Sequence, residues 1–134
     1  GWLGWFTQKA VEQSKNLNTE PFTISGNGKQ VRDLLFSSDC VSLYLSAANN
    51  IDSIKGQAFN IGGGIENSSS ILELFSLLEN ELNVELSYDK LCSRESDQRV
   101  FVADTTKVEK YLDWSPKISK LEGLRKMIDW TRSY

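Results

Sequence analysis

Ser70-Ile71-Leu72-Glu73 fixes the start of one helix more firmly than any other point in this sequence. A serine and a glutamate at this spacing satisfy each other's otherwise unpaired backbone N–H groups in the first helical turn. Behind them Ile71, Leu74, Phe75, Leu78 and Leu82 recur at helical spacing and make one apolar stripe. A stripe that wide has to be buried against other elements. Trp2, Phe6 and Ala10 predict a helix over residues 2–14. Residues 15–20 read as a polar loop, and Pro21 to Ser25 as a short strand before a Gly26-Asn27-Gly28 turn. Val31 to Phe36 reads as extended.

The second half of the pattern alternates in the same way. Asp39 is placed to cap a helix whose Val41, Tyr44, Leu45 and Ala48 share a face. Gln57 to Ile61 predicts a buried strand, stopped by Gly62-Gly63-Gly64. Val84 to Tyr88 and Arg99 to Ala103 predict two more strands. A short helix from Asp104 or Thr105 should bury Val108, Tyr111 and Leu112, ending at Asp113-Trp114-Ser115-Pro116. Ser119 to Glu122 repeats the capping box, with Leu121, Leu124, Met127 and Ile128 inward. Short strands separated by about five helices predict a mixed α/β (α+β) domain over residues 1–134. The strands are too few and too scattered for a complete doubly wound sheet.

Composition narrows the chemistry. The 134 residues fit one domain able to bury a real core. A net charge of −3 argues against nucleic acid or a membrane surface as partner, and no run approaches the length of a membrane span. With no histidine, His-based triads and most zinc sites are excluded. Cys40 and Cys92 lack metal spacing and read as reduced thiols, which suggests the cytoplasm. Neither a signal peptide nor an initiator Met opens the chain, so a fragment or cleaved product is expected.

Arg32 is the first candidate for binding. It stands just after the glycine turn, three residues beyond Lys29, and its planar fork suits two phosphate oxygens. The alternative is a solvated turn with Arg32 paired to Asp33. Arg94, in the polar run Ser93 to Gln98, carries the same pair of readings. Gly62-Gly63-Gly64 lacks the third glycine of a dinucleotide loop, since position 67 is Asn67, and reads as a tight reversal. Trp2, Trp5 and Phe6 are core candidates, although Trp2 also offers a flat face to a base.

These residues together resemble a known family. Gly1-Trp2-x-Gly4-Trp5-Phe6-x-Gln8-Lys9-Ala10, Gly28-Lys29-Gln30-Val31-Arg32-Asp33, Phe59-Asn60-Ile61-Gly62-Gly63-Gly64, the run Arg94 to Asp104, and Trp114-Ser115-Pro116 follow one another as in the C-terminal part of extended short-chain dehydrogenase/reductases acting on nucleotide sugars. The resemblance covers nearly the whole chain and is nearest the CDP-sugar 2-epimerase group. It implies the small substrate domain of an enzyme whose NAD sits in a separate Rossmann domain, absent here, so that this chain holds no cofactor of its own.

By the same resemblance Arg32 and Arg94 hold a diphosphate and Asp97 lies near the ribose. The segment Trp2 to Gln8 borders the nucleotide, and Gln30 joins the substrate-binding set. Asn60 is a structural residue at a strand end. Phe36 stands where related enzymes often carry His. The family's Tyr-x-x-x-Lys pair is missing: Tyr44, Tyr88 and Tyr111 are followed four residues later by Ala48, Cys92 and Ser115. The expectation is a CDP-sugar-binding portion of an isomerase, with no catalytic residue and no activity by itself. The alternative is a non-catalytic module that dimerises through Trp2, Trp5 and Phe6, a face bared by the missing domain.

Overall fold

The computed structural model describes residues 1–17 and 20–133, so Asn18 and Thr19 of the predicted loop lie outside the described residues. The helices are α1 (Trp2–Ser14), α2 (Ser37–Asn49), α3 (Ile51–Ile54), α4 (Ile71–Leu82), α5 (Thr106–Leu112) and α6 (Lys120–Arg132). The strands are β1 (Phe22–Ser25), β2 (Val31–Asp33), β3 (Ser68–Ser70), β4 (Tyr88–Leu91) and β5 (Val100–Phe101). β1 pairs with β4 in parallel, Phe22 opposite Tyr88, and the other three strands run in the order β3-β2-β5. The mixed α/β class predicted above is the class observed. The chain divides into two compact units, residues 1–31, 69–100 and 121–134 in the first and residues 32–68 and 101–120 in the second.

The first unit holds the larger core. The capping box forms as predicted: Ser70 accepts from the Glu73 backbone N–H, and the Glu73 carboxylate accepts from the Ser70 N–H at 2.7 Å. The α4 stripe packs with Phe6, Ala10 and Val11 of α1, Phe22 and Ile24 of β1, and Leu124 and Ile128 of α6. Phe6, Phe22, Phe75 and Tyr88 meet mostly edge to face, with centroids 4.8–6.0 Å apart. The strand predicted over Val84 to Tyr88 instead begins at Tyr88. Ahead of Tyr88 side chains hold much of the backbone: Gln13 bonds both the N–H and the C=O of Ser87, whose carbonyl also accepts from the Phe22 N–H at 3.3 Å, and Glu79 accepts from the Leu86 N–H.

The second unit is built on Leu43, Ile54, Val108, Leu112 and Trp114. Here the sequence reading needs four corrections. Asp39 does not cap α2, which starts two residues earlier; its buried carboxylate accepts from the Lys117 and Ile118 N–H groups at 3.1 and 2.9 Å. The stripe Val41, Tyr44, Leu45 and Ala48 faces out, while Leu43 faces in. Tyr111 is exposed rather than buried. Gln57 to Ile61 is neither a strand nor buried, apart from the half-buried Phe59.

Candidate functional site

The glycine turn is shaped by steric demand. Gly28 has φ +77°, and a Cβ there would meet Leu72 at 2.8 Å. Its carbonyl accepts from the Leu72 N–H in the first turn of α4. Residues 26–30 are thereby fastened to the best-specified helix in the chain. Asn27 accepts the Lys29 N–H on its side-chain oxygen, an Asx-type closure of the turn.

A polar loop lies against this turn within the same unit. The Gly26 N–H donates to the Leu91 carbonyl, and the Val31 N–H to the Arg99 carbonyl. Between these anchors the Gln30 amide donates to the Ser25 carbonyl at 3.0 Å and to the Asp97 carboxylate at 3.4 Å. The Asp97 N–H donates in turn to the Arg94 carbonyl. Three of the six predicted substrate-binding residues, Gln30, Arg94 and Asp97, therefore sit in one hydrogen-bonded assembly. Asp97 and Arg94 are exposed and Gln30 half-buried, so the surface presents a cation, a carboxylate and an amide to solvent.

The other three lie elsewhere. Arg32, half-buried, follows Val31 directly in sequence and opens the second unit. Asp33, the alternative partner for Arg32, has its carboxylate engaged by the backbone N–H groups of Gly64 and Ala103, each at 3.2 Å. Trp2 and Gln8 take different faces of α1. The Trp2 ring packs edge-on to Phe6 at 6.0 Å, whereas Gln8 is exposed and donates to Glu12 at 2.9 Å. Gln8 lines an open hollow of about 610 Å³ with Gly4, Trp5 and Trp130. Trp130 escaped the sequence reading because it falls off the apolar stripe of α6; an aromatic on a helix's polar side was the available signal.

The triple glycine answers the cofactor question. A Cβ at Gly62 would strike the Asp33 carboxylate, and one at Gly63 the Leu34 carbonyl. The space that would cradle a phosphate is filled by the chain's own atoms, and the run leads into a single turn, Ile65–Asn67, not a helix. These residues do not fit the diphosphate of NAD.

The chain as a whole is similar to known proteins. The family described as GDP-mannose 4,6 dehydratase matches residues 6–127. CDP-paratose 2-epimerase of Salmonella typhi is 58% identical over 133 residues, 99% of this chain and 39% of that protein. UDP-glucuronate 4-epimerase of Thermodesulfobacterium geofontis is 32% identical over 116 residues, 84% of this chain and 34% of that protein. Among solved structures, UDP-glucose 4-epimerase from Thermotoga maritima with UDP-glucose superposes with a TM-score of 0.82 at 28% identity, over 99% of this chain and 40% of that one. The chain thus spans about two fifths of its relatives' length.

Proposed function

This chain belongs to the GDP-mannose 4,6 dehydratase family of nucleotide-sugar enzymes, and we propose that it is the nucleotide-sugar-binding portion of an NAD-dependent CDP-sugar 2-epimerase. One observation carries the reading: the Gln30 amide joins the glycine turn to the loop bearing Arg94 and Asp97. Arg94 contributes a fork for phosphate oxygens, and Asp97 accepts from ribose hydroxyls. Arg32 adds a second cation for the diphosphate. Trp2 and Gln8 border the nucleotide. CDP as the nucleotide rests on the likeness to CDP-paratose 2-epimerase.

Catalysis is not assigned to this chain. Hydride transfer needs a cofactor held in line with the sugar carbon, and the chain offers neither a dinucleotide loop nor a Tyr-x-x-x-Lys pair. Mixed with NAD and a CDP-sugar, it should form no epimerised product.

Calorimetric titration of CDP-glucose and UDP-glucose tests the binding reading. The CDP-sugar should bind more tightly, and Arg94→Ala and Arg32→Ala should each weaken it by about tenfold or more, the scale of a lost charge-assisted hydrogen bond. Equal affinity for both nucleotides would remove the CDP assignment. Unchanged affinity in both variants would remove the arginines from the site.

A second reading, a self-associating module without catalysis, has its own support. Trp5 and Trp130 are both exposed and line one hollow. The face first expected is smaller than the sequence suggested, because Phe6 is buried and Trp2 half-buried. Light scattering at two concentrations, with and without CDP, separates the readings: association suppressed by CDP supports the first, and association blind to it the second.

A further inference from the structure

Gly62-Gly63-Gly64 does not fit a dinucleotide, yet it is built to a tight tolerance. The Gly64 and Ala103 N–H groups both donate to one oxygen of the Asp33 carboxylate, each at 3.2 Å. A methyl group at Gly62 would overlap that same oxygen and press on the Ala103 side chain at 2.7 Å. One at Gly63 would overlap the Leu34 carbonyl. Bare backbone at both positions is what lets this run lie directly on Asp33 and Leu34.

The same contact is fastened a second time. The Leu34 N–H donates to the Asn67 carbonyl at 3.0 Å, and the buried Asn67 amide donates to the Gly63 carbonyl at 3.1 Å. Residues 62–67 therefore hold both Asp33 and Leu34, all within the second unit. Two backbone N–H groups on one ionised oxygen make a stiffer anchor than neutral bonds would. Asp33 ends β2, and Arg32 precedes it on that strand. Successive side chains leave a strand on opposite faces, so the carboxylate can be seated on the glycines without drawing the guanidinium there. A long side chain delivers its charged end reproducibly only where the backbone beneath it is fixed.

We propose that Asp33 is a positioning residue for Arg32: the triple glycine seats the Asp33 carboxylate, and the seated carboxylate fixes the strand from which the Arg32 fork reaches the diphosphate. The glycines then serve phosphate binding at one remove, by close packing. This rests on the nucleotide-sugar reading above, and within it on Arg32 belonging to the site.

Calorimetric titration of the 134-residue chain with CDP-glucose tests it as a double-mutant cycle. Arg32→Ala and Asp33→Ala should each weaken binding about tenfold, and the double variant should be no weaker than either, whereas independent effects would multiply to about a hundredfold. Asp33→Asn keeps an oxygen of the same reach and should recover most of the affinity. Losses that multiply overturn the inference, as does full affinity in a folded Asp33→Ala. Unchanged affinity in Arg32→Ala removes Arg32 from the site and the inference with it.

Linkage supplies a readout that needs no variant to fold. If the seated carboxylate raises affinity, bound ligand must strengthen the seat by the same coupling. Amide exchange of the unaltered chain, read by NMR, should slow at Gly64 and Ala103 by about threefold or more in saturating CDP-glucose, beyond any slowing at Lys117 and Ile118, whose N–H groups Asp39 holds in the same unit. Equal slowing at all four amides is general stabilisation by ligand, and it overturns the inference while the nucleotide-sugar reading stands. Failure of CDP-glucose to bind at all removes both.

Discussion

The Gln30 amide nitrogen stands 3.4 Å from a carboxylate oxygen of Asp97, sixty-seven residues further along the chain. Because the same nitrogen donates to the Ser25 carbonyl at 3.0 Å, one side chain ties the loop of residues 92–98 to the glycine turn between its two backbone anchors. Gln30→Ala should free that loop with little cost to stability, since the contact to Asp97 is long and exposed. Exchange of the Asp97 amide, which donates to the Arg94 carbonyl at 3.3 Å, should speed up several-fold while urea unfolding shifts by less than about 1 kcal/mol. An unchanged Asp97 amide would show that the loop holds its shape without Gln30.

Gly28→Ala should act in the opposite manner, through the fold. The positive φ and the 2.8 Å approach to Leu72 leave no room for a methyl group. Strain and displaced packing together should cost about 1–3 kcal/mol, read as a lower urea midpoint at constant slope. The binding surface would be disturbed with it, because this turn carries Gln30.

Much of the first unit was legible in the sequence, and the reason is local. The Ser70–Glu73 box and the stripe behind it specify α4 from residues within one another's reach, and the helix forms as read. Less legible was anything decided by a distant partner. No pattern around residue 84 announces that Gln13 will bond the Ser87 backbone and Glu79 the Leu86 N–H, just ahead of a strand that starts at Tyr88. The stripe of α2 misled for a different reason. Periodicity reports that a helix has an apolar face, and the identity of what covers it is written elsewhere. At the candidate site, the turn and the cationic loop were both visible, but their joining through Gln30 was a tertiary fact.

The capping box offers a direct measure of that local specification. Ser70→Ala should cost about 1 kcal/mol in chemical unfolding, because it strips the acceptor from the Glu73 N–H. Ser70→Thr retains a hydroxyl that accepts from the Glu73 N–H and donates to the Glu73 carboxylate, and should recover most of the loss. Equal losses in both variants would mean that the serine serves packing and not capping.

Glu81 and Arg125 give the first unit a pH signature. Arg125 meets the carboxylate through two nitrogens, each at 2.8 Å. Hydrogen bonding to Arg125 is the main reason the Glu81 carboxyl titrates below its ordinary 4.5. A carboxyl depressed in the folded state contributes stability that is present above its unfolded value and lost as pH falls through its folded value. Melting temperatures measured from pH 6 down to pH 3 should therefore decline less steeply in Arg125→Ala than in the parent. The effect at neutral pH should be small, since the pair is solvent-exposed and screened.

Asp39 is the sharper test of the second unit. Its buried carboxylate takes the N–H groups of both Lys117 and Ile118 on one oxygen, tying the start of α2 to the segment that leaves Trp114. Removing that oxygen strands two donors together. Asp39→Ala should destabilise by about 2–4 kcal/mol, a buried charged acceptor being worth more than a neutral one. Asp39→Asn keeps one oxygen of the same reach and should cost roughly half as much. The loss should appear in hydrogen exchange of α2 and residues 117–118 before any change in α4, because α4 draws its packing from the first unit's own core. Unchanged exchange at residues 117–118 would show that the Asp39 carboxylate does not hold that segment.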